Sequence, residues 1–557
     1  SRNQPTLVVL EDAHWVDAST QGVMDLLAER IHDHAIMLLV THRLEKQLPY
    51  TSAHVTRLTL SSLSRDQAAR LITGITGELP ESAVREISEK GAGIPLFLEE
   101  ITKSLQARSV TESPARVNNQ TIPESLQASL LSALDRLGEA KRLAQIGAVI
   151  GQSFWRDVLT FVTNQPSETL ESGLNQLVDN RITVRESLGD NALLRFRHAL
   201  LRDAAYESLM RGQRAELHGR VATFLAQSGK SEERANQAVI ARHYEVAGDL
   251  DKAFSGWLEA GRTALNAGAT TEAVELLERA HSLADRVSGE GVLPDRHYQL
   301  HMSRGQALNA SRGAAATEAH ESFRRAAAIG QEMDDVYCQV DALDYLYGIT
   351  FNAGRLVASM DVAHEMLGIG EARDHPVALV SGHQGLGMTL CTLGRFAEAA
   401  RHLEAALARA DQDIKGINCF PSMTMDYLSY VRFFLGDDKA AQTLCEQAIR
   451  SARKESQYAA VTALSNSCFT QMLLGDYEAV RLYSGQAMQL ARERGQYMVS
   501  DRALLFHNLA TAWLEPEAET LQDVEAAIER LFQSREHIDL TYLIAMTAEV
   551  QIQRGHL

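Results

Sequence analysis

The chain has 557 residues, with 54 Lys and Arg against 72 Asp and Glu and a net charge of −18 at pH 7. Apolar residues make up 45% and aromatics 6%, which suits a core-forming chain of about three to five domains and excludes a disordered one. The acidic balance excludes a protein whose main business is gripping phosphate backbones, and no apolar run approaches the ~20 residues that cross a bilayer. The cysteines, Cys338, Cys391, Cys419, Cys445 and Cys468, are odd in number and form no CxxC pair. That usage fits reduced core thiols in a cytoplasmic protein. The chain opens at Ser1 without an initiator Met or secretory signal and stops within a helical pattern, so it is expected to be a fragment.

In chain order, Leu7–Leu10 is a short continuous apolar run, the pattern of a parallel strand covered on both faces. Asp17 and Ser19 supply helix-start chemistry, and Val23, Leu26, Leu27 and Ile31 follow at helical spacing. "AIMLLVTHR" reads as the next strand and "VTRLTL", Val55 to Leu60, as a third, weaker one. Helices are expected near Ser64–Thr73 and Glu81–Lys90, and "GAGIPLFLEEITKSL" turns at Gly93 and Pro95 into another. Strand–helix–strand at this spacing assigns residues 1–107 to part of an open α/β domain. Residues 108–121 are polar and aperiodic, the character of a linker. Residues 122–212 combine short helices with two strand-like pieces around Gly189, Asp190 and Asn191, a hairpin that suggests a winged-helix-like module.

From residue 213 to 557 the pattern is helical and repeats. Gly354, Gly394, Gly436 and Gly475 are spaced 40, 42 and 39 residues apart, and Ala406, Ala448 and Ala487 each stand twelve residues after a glycine. Gly268 and Ala280 repeat the pattern; Gly354 has Met366 instead of alanine, and Gly248 with Ala260 lies too close to Gly268 for a separate hairpin. Glycine lets one helix end close to the next, and alanine lets the pair approach. Such hairpins bury their apolar faces only by stacking, so an α-solenoid of about six hairpins is expected. The repeats resemble tetratricopeptide (TPR) repeats, with a period nearer 40 than the usual ~34 residues. The fold class is therefore mainly α, after a partial α/β domain.

The first strand ends in adjacent carboxylates, Glu11 and Asp12. Ligands of open α/β sheets bind outside the carboxyl ends of the strands. A Mg2+ ion would relieve the repulsion between two acids there, and one carboxylate could orient water for phosphoryl transfer. An acidic lead-in to the following helix is the plainer explanation.

Three motifs in order weigh against that plainer explanation. "LVVLEDAHWVD", the strand ending "LLVTHR" and "GIPLFLEEI" together resemble the STAND class of P-loop NTPases. They are most similar to the ATPase modules of adenylyl-cyclase-associated proteins and of large LuxR-type regulators. The resemblance implies ATP and Mg2+ as cofactors, with Glu11 nearer the metal and Asp12 on the water side. It places Thr41 and Arg43 in a Thr-x-Arg-like element, with Arg43 sensing the γ-phosphate, and sets the turn of Gly93 and Pro95 against the base. His14, Trp15 and Asp17 also match, Trp15 as a packing residue and Asp17 as a helix cap. Leu193–Met210 resembles the end of the winged-helix region of the same proteins.

The phosphate loop is missing from the chain. A P-loop needs G-x-x-x-x-G-K-[ST], and at the Gly-Lys-Ser of Gly229–Ser231 the required first glycine is Phe224, within a helical pattern. In the family the loop lies upstream of the acidic strand, so this chain alone is expected to bind ATP weakly or not at all. Arg195, Arg197, Arg202, Arg211, Arg214 and Arg220, with His198 and His218, form a basic stretch read as a solvated face or an intramolecular contact. The scattered histidines form no HExxH or cysteine-paired set, and Glu99 and Glu100 suit the positive end of the helix after Pro95.

The resulting expectation is an ATP-binding signal-transduction switch, the regulatory ATPase and TPR region of a class III cyclase-type protein. Its solenoid would take a protein or small-molecule ligand, with no direct nucleic-acid contact, no membrane span and room for a nucleotide-dependent oligomer. The alternatives are a LuxR-type transcriptional regulator and a non-enzymatic TPR scaffold with a degenerate nucleotide site.

Overall fold

The computed structural model describes residues 4–13, 16, 18–31, 34–42, 55–77, 79–111, 126–187, 192–228, 237–287, 294–410, 421–494, 497–515, 524, 526, 528–529 and 540–553. The chain divides into two compact units, Ser1–Ala260 and Gly261–Leu557.

The first unit opens with β1 (Thr6–Leu10), α1 (Ala18–Arg30) and β2 (Ile36–Val40). The strands pair in parallel, from Thr6↔Ile36 to Leu10↔Val40, as their unbroken apolar runs require. Ala13 and Met24 form a small core with Leu10, Val16 and Val40. Leu7, Val8, Val9, Met37 and Leu39 remain exposed on the sheet. The expected third strand is not formed: Val55–Leu60 has no ladder pairing, with Leu58 82% and Leu60 93% exposed. Its residues suit a strand, but propensity alone does not make one, and among the described residues the outer edges of β1 and β2 stay unpaired.

The next helices are α2 (Arg65–Thr76), α3 (Glu81–Lys90) and α4 (Pro95–Thr111). Ser64 and Gln67 close a capping box that starts α2: Gln67 N–H donates to Ser64 Oγ at 3.3 Å and Ser64 N–H to Gln67 Oε1 at 2.9 Å. Ala68, Ile72, Ile87, Phe97, Leu98 and Ile101 make the core of this group. Helix α4 continues through Arg108 to Thr111, so the expected linker begins as helix; its residues from 112 lie outside the described ones.

Then follow α5 (Leu126–Asp135), α6 (Ala140–Ile150), β3 (Ser153–Trp155), α7 (Arg156–Thr163), α8 (Ser167–Asp179), β4 (Thr183–Arg185) and β5 (Leu193–Phe196). The predicted hairpin pairs Thr183↔Phe196, Val184↔Arg195 and Arg185↔Leu194, although its tip at 188–191 lies outside the described residues. The sheet order is β3-β5-β4, all antiparallel. β3 has no counterpart in the sequence reading, because three residues are too few to show alternation. It is held by burial: Phe154 and Phe196 lie 5.4 Å apart by ring centroid, and a Cβ on Gly147 would meet Phe154 at 2.7 Å. α9 (Ala199–Glu207), α10 (Arg211–Ser228) and α11 (Gln237–Ala247) follow, and the same core runs on to Leu217, Val221, Leu225 and Ile240. α12 (Leu250–Asn266) carries the division between the units.

The second unit is a TPR-like solenoid. It runs through α13 (Thr270–Ala284), α14 (Pro294–Arg312), α15 (Thr317–Glu332), α16 (Val336–Asn352), α17 (Leu356–Arg373), α18 (Pro376–Thr392) and α19 (Phe396–Ala410). It continues with α20 (Pro421–Phe434), α21 (Asp438–Glu455), α22 (Gln457–Leu474), α23 (Tyr477–Arg494), α24 (Tyr497–Leu514) and a helix at Leu540–Gln553. Turn glycines Gly268, Gly313, Gly354, Gly394, Gly436 and Gly475 all have φ between 71° and 84°, the left-handed region that other residues enter at a cost. Ala280, Ala406, Ala448 and Ala487 are buried where the helices of each hairpin meet. The Gly313 repeat keeps the glycine spacing, 41 residues before Gly354, but has Arg325 where the others carry alanine. Its turn is longer, with α15 starting at Thr317, and the alanine in register becomes Ala327. Helices α14, α16, α18, α20, α22 and α24 also touch their next-but-one neighbours, so they form the inner layer.

Candidate functional site

The structure brings Asp12 and Thr41 together at the carboxyl end of the parallel pair. Thr41 N–H donates to Leu10 O at 2.9 Å and Ala13 N–H to Thr41 O at 2.8 Å, so the two strand ends stay tied. Thr41 Oγ1 accepts the Asp12 N–H at 3.0 Å. Asp12 has φ 55°, a conformation uncommon outside glycine that clusters at functional sites. Glu11 and Asp12 are both exposed. Arg43, His14, Trp15 and Asp17 lie outside the described residues.

Gly93 and Pro95 form the turn into α4. Gly93 has φ 69°, and a Cβ there would meet Leu63 O at 2.5 Å; Leu63 N–H donates to Gly93 O at 2.8 Å. Pro95 opens α4, where its missing N–H costs nothing. Both residues thus have a local structural reason.

Among the described residues no group of three or more His, Cys, Asp or Glu could hold a metal ion. Mg2+ does not need one, since it binds through one or two carboxylates plus phosphates and water. Two exposed hard-oxygen donors at a strand end fit that habit. Among the described residues no backbone cradle for the phosphates accompanies them.

Much of the basic stretch is engaged internally. Arg195 pairs with Glu186, and Arg202 with Asp203 at 2.5 Å. Arg214 donates to Leu209 O and Glu207 O and lies 4.7 Å from the centre of the Tyr206 ring. Arg197 and Glu100 act electrostatically on His198, which also feels Glu99, so part of the stretch faces the α4 acids. A cleft of about 1000 Å3 opens between α7, α10 and α11, lined by Phe161, Glu216, Arg220, Tyr244 and Lys252 among others. Lys252 is already taken by Asp249 at 2.7 Å and by the Tyr244 ring.

The inner layer of the solenoid carries polar residues that the sequence reading did not single out. Asp344, Gln384, Asp426 and Ser465 each stand ten residues before a turn glycine, namely Gly354, Gly394, Gly436 and Gly475. They therefore share one register, a signal present in the sequence once the glycines are aligned. Burial and the neighbouring Asp341 push the Asp344 carboxyl up to about 7. Burial also raises Asp341, which accepts the Tyr298 hydroxyl at 2.8 Å. Asp426 is fully buried and raised by that burial, although it accepts from Ser467 Oγ at 3.3 Å and Asn466 Nδ2 at 3.5 Å.

No family model matches the chain. A curated relative, an uncharacterized protein of Rhizobium meliloti (strain 1021), is 27% identical over 299 residues, which is 52% of this chain and 29% of that protein. The chain thus spans less than a third of that relative's length. Among solved structures, it is similar to a STAND protein with a tetratricopeptide-repeat sensor from Pyrococcus horikoshii, with 13% identity, 98% of this chain and 83% of that one covered, and TM-score 0.35. It is also similar to a Rap protein complexed with competence and sporulation factor, with 16% identity, 62% and 88% covered, and TM-score 0.42. The apo quorum sensor NprR from B. thuringiensis matches with 11% identity, 68% and 97% covered, and TM-score 0.39.

Proposed function

We propose that this chain is the regulatory part of a cytoplasmic nucleotide-dependent signalling switch, in which the solenoid takes a protein, peptide or small-molecule ligand and the strand-end acids serve an ATP site. The observation that supports the nucleotide half is the Asp12–Thr41 junction. A carboxylate residue is held in a costly backbone conformation at the carboxyl end of a parallel strand, braced by a hydroxyl from the next strand. Exposed apolar side chains on both strands suit a sheet that continues in the rest of a nucleotide domain. Glu11 and Asp12 would hold Mg2+, which when bound neutralises phosphate charge, and Asp12 would orient water. Arg43 would sense the γ-phosphate, and Gly93 and Pro95 would face the base. The solenoid ligand would act by binding one nucleotide state better than the other. The output would be a class III cyclase domain or, in the alternative, a LuxR-type helix-turn-helix.

The test is phosphate release by the protein expressed from its full reading frame. Asp12→Asn should slow release at least tenfold with little loss of ATP affinity. An unchanged rate removes Asp12 from its role. A wild-type protein that neither binds nor hydrolyses ATP leaves the second reading, a non-enzymatic scaffold.

A further inference from the structure

We propose that the cleft between α7, α10 and α11 binds a free aromatic α-amino acid, with Glu216 holding its ammonium, Arg220 its carboxylate, and Phe161 and Tyr244 flanking its ring. The cleft lies wholly in the first unit and measures about 1000 Å3, within the size of pockets that take small organic ligands. Most charges that line it are already engaged. Arg156 donates to Ser167 Oγ and lies 3.4 Å from Glu171, the Asp157 carboxylate accepts the Val158 N–H at 2.8 Å, and Lys252 holds Asp249. Glu216 and Arg220 differ. Glu216 is exposed and, among the described residues, has no hydrogen-bond or ion-pair partner. Among the same residues the Arg220 guanidinium bonds only Phe161 O, at a long 3.5 Å. The two stand one turn apart on α10, acid before base, the arrangement that ordinarily closes an ion pair, and they do not pair with each other. The cleft is thus offered one charge of each sign.

The apolar part of the cleft is aromatic. Phe161 on α7 is 40% exposed although large and apolar, and its ring leans on Phe224 at 5.2 Å. Tyr244 on α11 lines the cleft too, with Lys252 Nζ 5.1 Å from its ring centre. Gly219 on α10 leaves the wall bare between Glu216 and Arg220. A glycine inside a helix is destabilising relative to alanine, and packing does not demand this one: a Cβ would meet Ala247 Cβ at an ordinary 3.6 Å. A ring laid over Gly219 meets aromatic walls, which favour another ring over an aliphatic chain. Side chains one turn apart start about 5–6 Å from each other, a span that hydrogen bonds to the ammonium and carboxylate of one α-carbon bridge. A ligand with a single charge would leave one member of the Glu216–Arg220 couple unanswered.

The test is calorimetric titration of the 557-residue chain with L-phenylalanine and with analogues that each lack one feature: phenethylamine (no carboxylate), hydrocinnamate (no ammonium) and L-alanine (no ring). Phenylalanine should bind about tenfold more tightly than each analogue, the scale of one charge-assisted hydrogen bond or one buried ring. Glu216→Gln should weaken phenylalanine and phenethylamine about tenfold and leave hydrocinnamate unchanged. Arg220→Gln should weaken phenylalanine and hydrocinnamate about tenfold and leave phenethylamine unchanged. No saturable binding of phenylalanine up to about 10 mM overturns the proposal, as does a variant that weakens every ligand alike. Alanine binding as tightly as phenylalanine overturns the aromatic assignment. The dipeptide phenylalanyl-alanine binding as tightly overturns the assignment to a free amino acid, because its ammonium and carboxylate no longer share one carbon.

Discussion

His218 on α10 and His243 on α11 face each other with their Nδ1 atoms 2.8 Å apart, while Tyr206 Oη lies 3.0 Å from His218 Nε2. Two imidazole nitrogens at that distance share one proton, so at most one of the two rings can be charged. Burial, aided by Arg242 nearby, lowers His218 to about 4 and His243 to about 3 from the ordinary 6.5. The unfolded chain therefore binds more protons than the folded one between about pH 6.5 and 3. The stability of the neutral pair is complete above pH 6.5 and is lost as the pH falls. Melting curves of the chain should show Tm declining from pH 7 to pH 4.5, with a contribution on the order of 1–3 kcal/mol from this pair. The double variant His218→Phe/His243→Leu should flatten that decline, and an equally steep decline would assign it elsewhere.

Gly382 and Gly368 lie in adjacent helices and should respond oppositely to alanine. A Cβ on Gly382 would meet the Leu367 backbone N at 2.6 Å, whereas nothing lies within 4 Å of one on Gly368. Alanine in a helix interior gains about 0.5–1 kcal/mol over glycine. Gly368→Ala should raise the midpoint of urea unfolding accordingly. Gly382→Ala should lower it by about 1–3 kcal/mol, because α17 and α18 must separate. A gain from both would mean that the helices are not in close contact.

Met366 occupies the position where other repeats carry alanine, and it is fully buried. Reasoning from the repeats would make Met366→Ala stabilising. Cavity energetics predicts a loss of about 2–5 kcal/mol, since the surrounding helices are already packed around a longer side chain. Chemical denaturation gives the sign directly.

Thr41→Val removes the acceptor of the Asp12 N–H while preserving shape. The expected cost is about 1 kcal/mol of local stability, read as faster hydrogen exchange at the Asp12 amide. If the nucleotide reading holds, phosphate release from the full reading frame should fall as well. Serine at position 41 should restore both.

The repeat architecture was legible because Gly394, Gly436 and Gly475 mark turns that need a positive φ, and the buried alanines mark close helix pairs. The Gly313 repeat lacks the alanine twelve residues on, because a longer turn shifts it to Ala327, and β3 escaped because it is too short to alternate. Thr41 and Asp12 were legible as candidates, but their hydrogen bond was not, because it joins residues 29 positions apart.

Local chemistry written in the sequence determined where helices start, where turns fall and which strands are apolar enough to pair in parallel. Tertiary structure alone decided the rest. Val55–Leu60 has strand-forming residues yet forms no ladder among the described residues, so propensity alone did not decide it. Asp344, Gln384, Asp426 and Ser465 lie about 40 residues apart in sequence, and only stacking of the inner helices turns them into one polar column. Their burial, and hence the raised Asp344 and Asp426 carboxyls, exists only once that layer has formed.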